Sequence, residues 1–333
     1  MLSVQRRGGW PWEGSREGRE ERQARSLAFA GVGTLRLRDH ARARRGARSD
    51  GSFASGVLGE SAAPDGSDAA RVLDELGAME LRVIGCHGGE TPRHRTSAFV
   101  IDERLAIDAG SLTSGMDLKA QFRLNACIIS HAHLDHIRDL ATIADNRCQA
   151  DCEPLVVAAT KETLAVLKKH FFNGLIWPDF SAIPNKAKPT IRYVELKPEK
   201  RVEVAGYQVR SVLVNHTIDS SGFIVEGKDA TIAYSGDTGP TDRFWELLNQ
   251  EKNLKALLME VSFPNREQKL ATVSGHHTPR TLLKDLKKYV QPQDLPTLLY
   301  HIKPVFQGEV EQEIARLKGV NLTVTALNDQ YVL

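Results

Sequence analysis

Between His131 and His136, three histidines and one aspartate fall within six residues, directly behind the apolar run Ala126–Ile129. That run reads as a buried strand, so Ser130 and His131 stand where a strand ends and the chain turns into a helix. Loops at strand ends hold functional groups on a rigid base. Neutral imidazole and carboxylate are good ligands for zinc and its neighbours. Four such side chains on one compact turn cannot all reach a single ion, so the spacing suits two ions, each completed from elsewhere. Candidates follow further apolar runs. His216 comes after Val209–Val214, and His301 after Thr297–Tyr300. Asp237 follows Thr231–Tyr234 inside Ser235-Gly236-Asp237-Thr238-Gly239, where glycine permits a tight turn.

The chain of 333 residues changes character near Met79. Residues 1–78 contain no Lys, Ile, Asn, Tyr or Cys and are crowded with Arg, Gly, Ala, Ser and Glu. So few large apolar residues cannot offset the entropy of ordering, and a disordered leader is expected there. Met79 is a candidate alternative start, since it just precedes the first clear strand. Arg6-Arg7 lacks the apolar stretch of an export signal, and Glu13, Glu17, Glu20 and Glu21 oppose a transit peptide. Residues 79–333 are expected to form one hydrolase domain. Its strand-like runs are Leu81–Ile84, Ala98–Ile101, Leu105–Ile107, Ala126–Ile129, Leu155–Ala158, Val209–Val214, Thr231–Tyr234, Ala256–Met259 and Thr297–Tyr300. Helical periodicity covers Lys161–Phe171, Asp242–Leu248, Pro279–Tyr289 and Val310–Leu317. The alternation predicts a mixed α/β domain.

Global chemistry excludes little. The formal net charge is +2, and no apolar run approaches the roughly 20 residues of a membrane span. Cys86, Cys127, Cys148 and Cys152 form no C-x-x-C pair, which fits unpaired thiols and a cytoplasmic protein.

The order H-x-H-x-D-H, then His, Asp and His resembles the metallo-β-lactamase superfamily. That resemblance implies a four-layer αβ/βα sandwich with the site at one edge of two sheets. It implies that His131, His133 and His216 hold one metal, that Asp135, His136 and His301 hold the other, and that Asp237 bridges both. Asp108 would be the carboxylate that orients a ligand histidine. Seven segments narrow the resemblance to class II 3',5'-cyclic nucleotide phosphodiesterases: HAHLDHI at 131–137, FNGLIWPDF at 172–180, Asn215-His216-Thr217, YSGDTGP at 234–240, Ser262-Phe263-Pro264, GHHTP at 275–279 and HIKP at 301–304. Asp139 departs from the pattern, standing where the family often has glycine, which bears on local helix packing.

The implied chemistry is hydrolysis of 3',5'-cAMP, with cGMP as a second substrate, to a 5'-monophosphate. Two divalent ions about 3.5–4 Å apart activate a shared water and stabilise phosphoryl charge. Zinc is the expected metal; manganese and iron suit the same donors. Expulsion of the ribose 3'-oxygen needs a proton, and His276 is the candidate donor, with Glu260 its partner. The pair resembles the Glu and His pair of tRNA 3'-processing nucleases. Asp135 is counted with both the metal and the catalytic groups. Asn173, Trp177 and Phe180 are candidates to read and stack on the base, although lid packing is the alternative for the aromatics. Thr278 is a candidate substrate contact and equally a cap for the helix opening at Pro279. Lys303 is within reach of a phosphate oxygen or a plain surface lysine, and His277 should point away from the site. The expected partner is a small-molecule cyclic nucleotide, with a homodimer open and neither membrane nor nucleic acid anticipated. The rival readings are an RNA 3'-processing nuclease, a non-phosphodiester hydrolase of the same fold, and a metal-binding regulator without catalysis.

Overall fold

The computed structural model describes residues 78–291 and 295–333. Apart from Ala78, the expected leader at 1–78 lies outside the described residues.

Among the described residues, fourteen strands form two seven-stranded sheets. The first contains β1 (Glu80–Gly85), β2 (Ala98–Ile101), β3 (Leu105–Ile107), β4 (Ala126–Ile128), β5 (Leu155–Ala159), β6 (Ile191–Glu195) and β14 (Gln330–Val332), in the order β14-β1-β2-β3-β4-β5-β6. The second contains β7 (Arg201–Val204), β8 (Tyr207–Leu213), β9 (Ser221–Glu226), β10 (Thr231–Tyr234), β11 (Leu254–Glu260), β12 (Thr297–Tyr300) and β13 (Leu322–Val324), in the order β13-β12-β11-β10-β9-β8-β7.

The layering follows from strand alternation. Successive side chains leave opposite faces of a strand, and here both faces are apolar. Phe99, Ile101, Ile107, Ile128, Tyr234, Leu258 and Tyr300 point between the sheets into one core. Their neighbours Ala98, Val100, Ala106, Cys127 and Val157 point outward, under helices that include Leu140–Gln149 and Lys161–Val166. On the other sheet Ala233, Leu257, Met259 and Leu299 lie under Arg243–Leu248, Pro279–Leu286 and Gln307–Ile314. Three apolar interfaces between helix, sheet, sheet and helix make the four-layer sandwich expected from the resemblance.

Topology then selects one edge. β3, β4 and β5 run parallel, as do β10, β11 and β12. β8 and β10 are each antiparallel to β9, so β8 shares the direction of β10. The carboxyl ends of β3, β4, β8, β10 and β12 therefore lead into the loops that carry Asp108, His131, His216, Asp237 and His301, and β11 ends on Glu260. The edges are joined across the sheets, where Ser221 N–H donates to the Ser130 carbonyl at 3.0 Å and Tyr234 OH donates to Asp108 at 2.6 Å.

Some boundaries differ from expectation. The helix expected at Lys161–Phe171 is α-helical to Val166 and then widens into a π turn over Leu167–Phe171. The helix expected to reach Tyr289 stops at Leu286. Strands β6, β7, β9, β13 and β14 were not among the expected runs and take their register from neighbours. Asp139 needs no glycine conformation, with φ −80°. Its buried carboxylate instead accepts from Thr113 N–H at 2.7 Å and Thr113 OH at 2.6 Å, fastening the helix Leu140–Gln149 to the short helix Leu112–Gly115. All four cysteines are free thiols. No described helix is long and apolar enough to cross a membrane.

Candidate metal centre

The strand ends bring the seven predicted ligands together. Donor atoms of His131, His133 and His216 form one group within 4.8 Å, and those of Asp135, His136, Asp237 and His301 form another. His131, His136, Asp237 and His301 are almost fully buried. His133, Asp135 and His216 are half-buried and mark the open side.

Hydrogen-bond accounting shows which ring nitrogens face inward. Ser130 OH donates to Asp108 Oδ2 at 2.8 Å, so it can accept from His131 Nδ1, 3.0 Å away. His136 Nδ1 lies 2.7 Å from Asp108 Oδ2, and His216 Nδ1 lies 3.0 Å from the Gly275 carbonyl. At His131 and His216 this makes Nδ1 the protonated nitrogen and leaves Nε2 bare. The bare Nε2 atoms of His131 and His216 both face His133 Nδ1, at 3.0 and 3.1 Å. The Nε2 atoms of His136 and His301 face Asp237 Oδ2, at 3.2 and 3.1 Å. Asp237 Oδ1 is buried with no hydrogen-bond partner. Lone pairs crowded onto common points, beside an orphaned carboxylate oxygen, are what a divalent cation requires. The donor set therefore fits the metal pair implied by the resemblance.

Electrostatics agree. Burial holds His131, His133, His216 and His301 below the ordinary imidazole range, so they present neutral lone pairs. His136 is the exception. Burial pushes it down, but Asp237 and Asp108 on its two sides outweigh that and raise it. Burial opposes ionisation of Asp135 and Asp237, yet the surrounding imidazoles hold both below the ordinary carboxylate range.

Two ligand-loop residues sit in the left-handed region, Asp108 at φ 58° and His301 at φ 71°. For a residue with a Cβ this costs on the order of 1–3 kcal/mol. The strain is held by backbone bonds from Asp108 N–H to the Ile128 carbonyl (2.9 Å) and from His301 N–H to the Cys86 carbonyl (2.7 Å).

His276 lies beside the ligand set, 6% exposed, with its ring stacked on His301 at 5.2 Å between centroids. One of its ring nitrogens comes within 4.8 Å of donor atoms of both His216 and Asp237. Its Nδ1 is 3.3 Å from Glu260 Oε1. Burial raises the Glu260 carboxyl to about 7, with Asp237 adding to the shift and His277 and His301 opposing it. His277 turns away, its Nδ1 meeting Thr281 OH at 3.2 Å, as expected. Lys303 forms no ion pair among the described contacts, and its charge helps depress His276 and His301.

The base-binding candidates are not gathered there. Phe180 is 3% exposed and packs on Phe172 in the helix-facing core, so it has no free face to stack. Trp177 packs against the same core and spends its indole N–H on the Ala141 carbonyl at 3.0 Å. Asn173 organises its own turn, accepting from Leu175 N–H and Ile176 N–H at 2.9 and 2.8 Å. Thr278 is fully buried and caps Pro279–Leu286 in a capping box. The aromatics of the segment from Phe172 to Phe180 face the helical layer, Asn173 closes its own turn, and Thr278 supplies the acceptor that a helix N-terminus needs. Sequence reasoning missed Ser130, Tyr234 and Ser262, whose hydroxyls sit among the ligands and Asp108. Their signals were adjacency to strand ends and, for Tyr234 and Ser262, a place in the family-like segments.

Residues 109–301 match the family described as the β-lactamase superfamily domain. A Yersinia pestis protein named a probable 3',5'-cyclic-nucleotide phosphodiesterase is 29% identical over 281 residues, spanning 69% of this chain and 80% of that protein. The crystal structure of unliganded yeast PDE1 superposes with a TM-score of 0.67 at 19% identity, covering 77% of this chain and 99% of the other. The metallo-β-lactamase fold protein YhfI of Bacillus subtilis gives 0.61 at 17% identity, over 77% of this chain and 99% of its own.

Proposed function

Since this chain belongs to the β-lactamase superfamily, we propose that it is a metal-dependent phosphodiesterase that hydrolyses 3',5'-cyclic nucleotides, cAMP first and cGMP second, to 5'-nucleoside monophosphates. The observation that carries the substrate is the likeness to the Yersinia pestis relative. His131, His133 and His216 would hold one ion; Asp135, His136 and His301 would hold the other; Asp237 would bridge. Zinc is the proposed metal, with manganese or iron suited to the same donors. Bound there, such ions supply an activated water and stabilise charge on the phosphoryl oxygens. Asp108 and Ser130 hold the ligand imidazoles with Nε2 inward. His276 Nε2 carries the proton that leaves on the ribose 3'-oxygen, while Glu260 holds Nδ1 on the opposite side of the ring.

The test is an assay of purified protein on 3',5'-cAMP, 3',5'-cGMP, 2',3'-cyclic nucleotides, bis(p-nitrophenyl) phosphate and a β-lactam, alongside elemental analysis. Two metal equivalents and turnover of a 3',5'-cyclic nucleotide are expected. His276→Ala should lower that turnover by about 10²–10⁴-fold with metal content intact. Turnover of another substrate with neither 3',5'-cyclic nucleotide hydrolysed would end this reading.

A further inference from the structure

The Ser262 hydroxyl touches three groups that the proposed reaction uses separately. It donates to Glu260 Oε2 at 2.8 Å, and it lies 2.9 Å from His301 Nδ1 and 3.2 Å from His276 Nδ1. Ser262 is fully buried. Its backbone is clamped on both sides, its N–H donating to the His277 carbonyl at 3.0 Å and its carbonyl accepting from Lys303 N–H at 3.2 Å. The hydroxyl has little freedom to seek other partners.

A hydroxyl has one proton and two acceptor lone pairs. With the proton spent on Glu260, both imidazoles must meet Ser262 as Nδ1–H donors. Glu260 Oε1 lies 3.3 Å from His276 Nδ1 and accepts from the His277 N–H at 2.8 Å. Both rings are then left with Nε2 bare. For His301 that nitrogen faces Asp237 Oδ2 at 3.1 Å and Asp135 Oδ2 at 3.4 Å, which is the ligand direction. For His276 it is the nitrogen free to move a proton.

We propose that Ser262 is a positioning residue whose single hydroxyl holds His301 as a metal ligand and His276 as a proton carrier in the same tautomer, tying metal loading to protonation of the leaving group. This rests on the phosphodiesterase reading for its second half alone. In that reaction the water oxygen bonds to phosphorus, the bond from phosphorus to the 3'-oxygen breaks, and the proton lost by the water reaches the 3'-oxygen through His276 Nε2. A p-nitrophenolate leaving group needs no such proton.

The experiment compares wild type, Ser262→Ala and Ser262→Thr in zinc titration and in hydrolysis of 3',5'-cAMP and bis(p-nitrophenyl) phosphate at saturating zinc. In Ser262→Ala one zinc equivalent should bind about 10–100-fold more weakly while the other is unchanged. Its kcat on cAMP should fall at least about tenfold more than on the p-nitrophenyl ester. Ser262→Thr should restore both. Should the alanine variant fail to fold, Ser262→Cys, of similar volume but a weak hydrogen bonder, takes its place. Unchanged affinity for both zinc equivalents, or equal losses on the two esters, overturns the proposal. If wild type cleaves the p-nitrophenyl ester but no cyclic nucleotide, the substrate assignment fails while the zinc titration still decides for or against Ser262.

Discussion

Asp108 has more demanded of it than any other single side chain near the ligands. Its Oδ2 accepts from Ser130 OH (2.8 Å), His136 Nδ1 (2.7 Å) and Tyr234 OH (2.6 Å), and its Oδ1 accepts from Ser130 N–H (2.8 Å). An amide in that place would turn a donor toward donors. Asp108→Asn should therefore weaken zinc binding by about 10–100-fold, read by competition with a chromophoric chelator; wild-type affinity would show that the outer carboxylate is idle. The seven clustered donors were legible because ligand types recur at strand ends, and Asp108 through the family resemblance. Ser130, Tyr234 and Ser262 were not, because serine and tyrosine are common and their roles depend on which imidazole nitrogen lies opposite them. Phe180 was misplaced for a related reason: an aromatic residue in a loop segment reads the same whether it faces a ligand or the core.

Gly275 shows how one loop element shapes the centre. It ends the helix Gln268–Ser274 at φ 66°, and its carbonyl receives His216 Nδ1. A Cβ added there would stand 2.8 Å from His216 Cα and 3.1 Å from His216 Nδ1. Gly275→Ala should add strain on the order of 1–2 kcal/mol and displace a ligand. Thermal unfolding and metal content should fall together, and a variant that keeps its full metal complement would refute the close fit. At this scale the central strands were readable, since β2, β3, β10 and β12 carry continuous apolar runs. The edge strands β7 and β14 were not, since one face of each is exposed and their extension is imposed by pairing.

At the scale of the whole molecule, metal and fold should stabilise each other. Chelation is expected to lower the unfolding temperature, and reloading should restore it, by about 2.7 kcal/mol at a free metal concentration 100 times Kd. The chelated protein should also weaken as pH falls from 7 to 5. Burial lowers His87, His131, His133, His216, His276, His277 and His301 in the fold, so the unfolded chain takes up protons first and stability is lost below about 6.5. His136 and Glu260 are raised and oppose the trend, but they are outnumbered. Urea unfolding across that range, with and without zinc, checks both statements; stability that rises toward pH 5 would contradict them. By itself the sequence determined a mixed α/β domain, the strand ends that matter and the seven donors, because apolar periodicity and ligand-type residues are local properties of the chain; the sandwich came from its family resemblance. Only the tertiary structure decided the rest. The tautomer of each imidazole, the burial of Phe180 and the contacts of Ser262 depend on groups from distant segments, and hydrogen-bond donors and acceptors pair by distance in space.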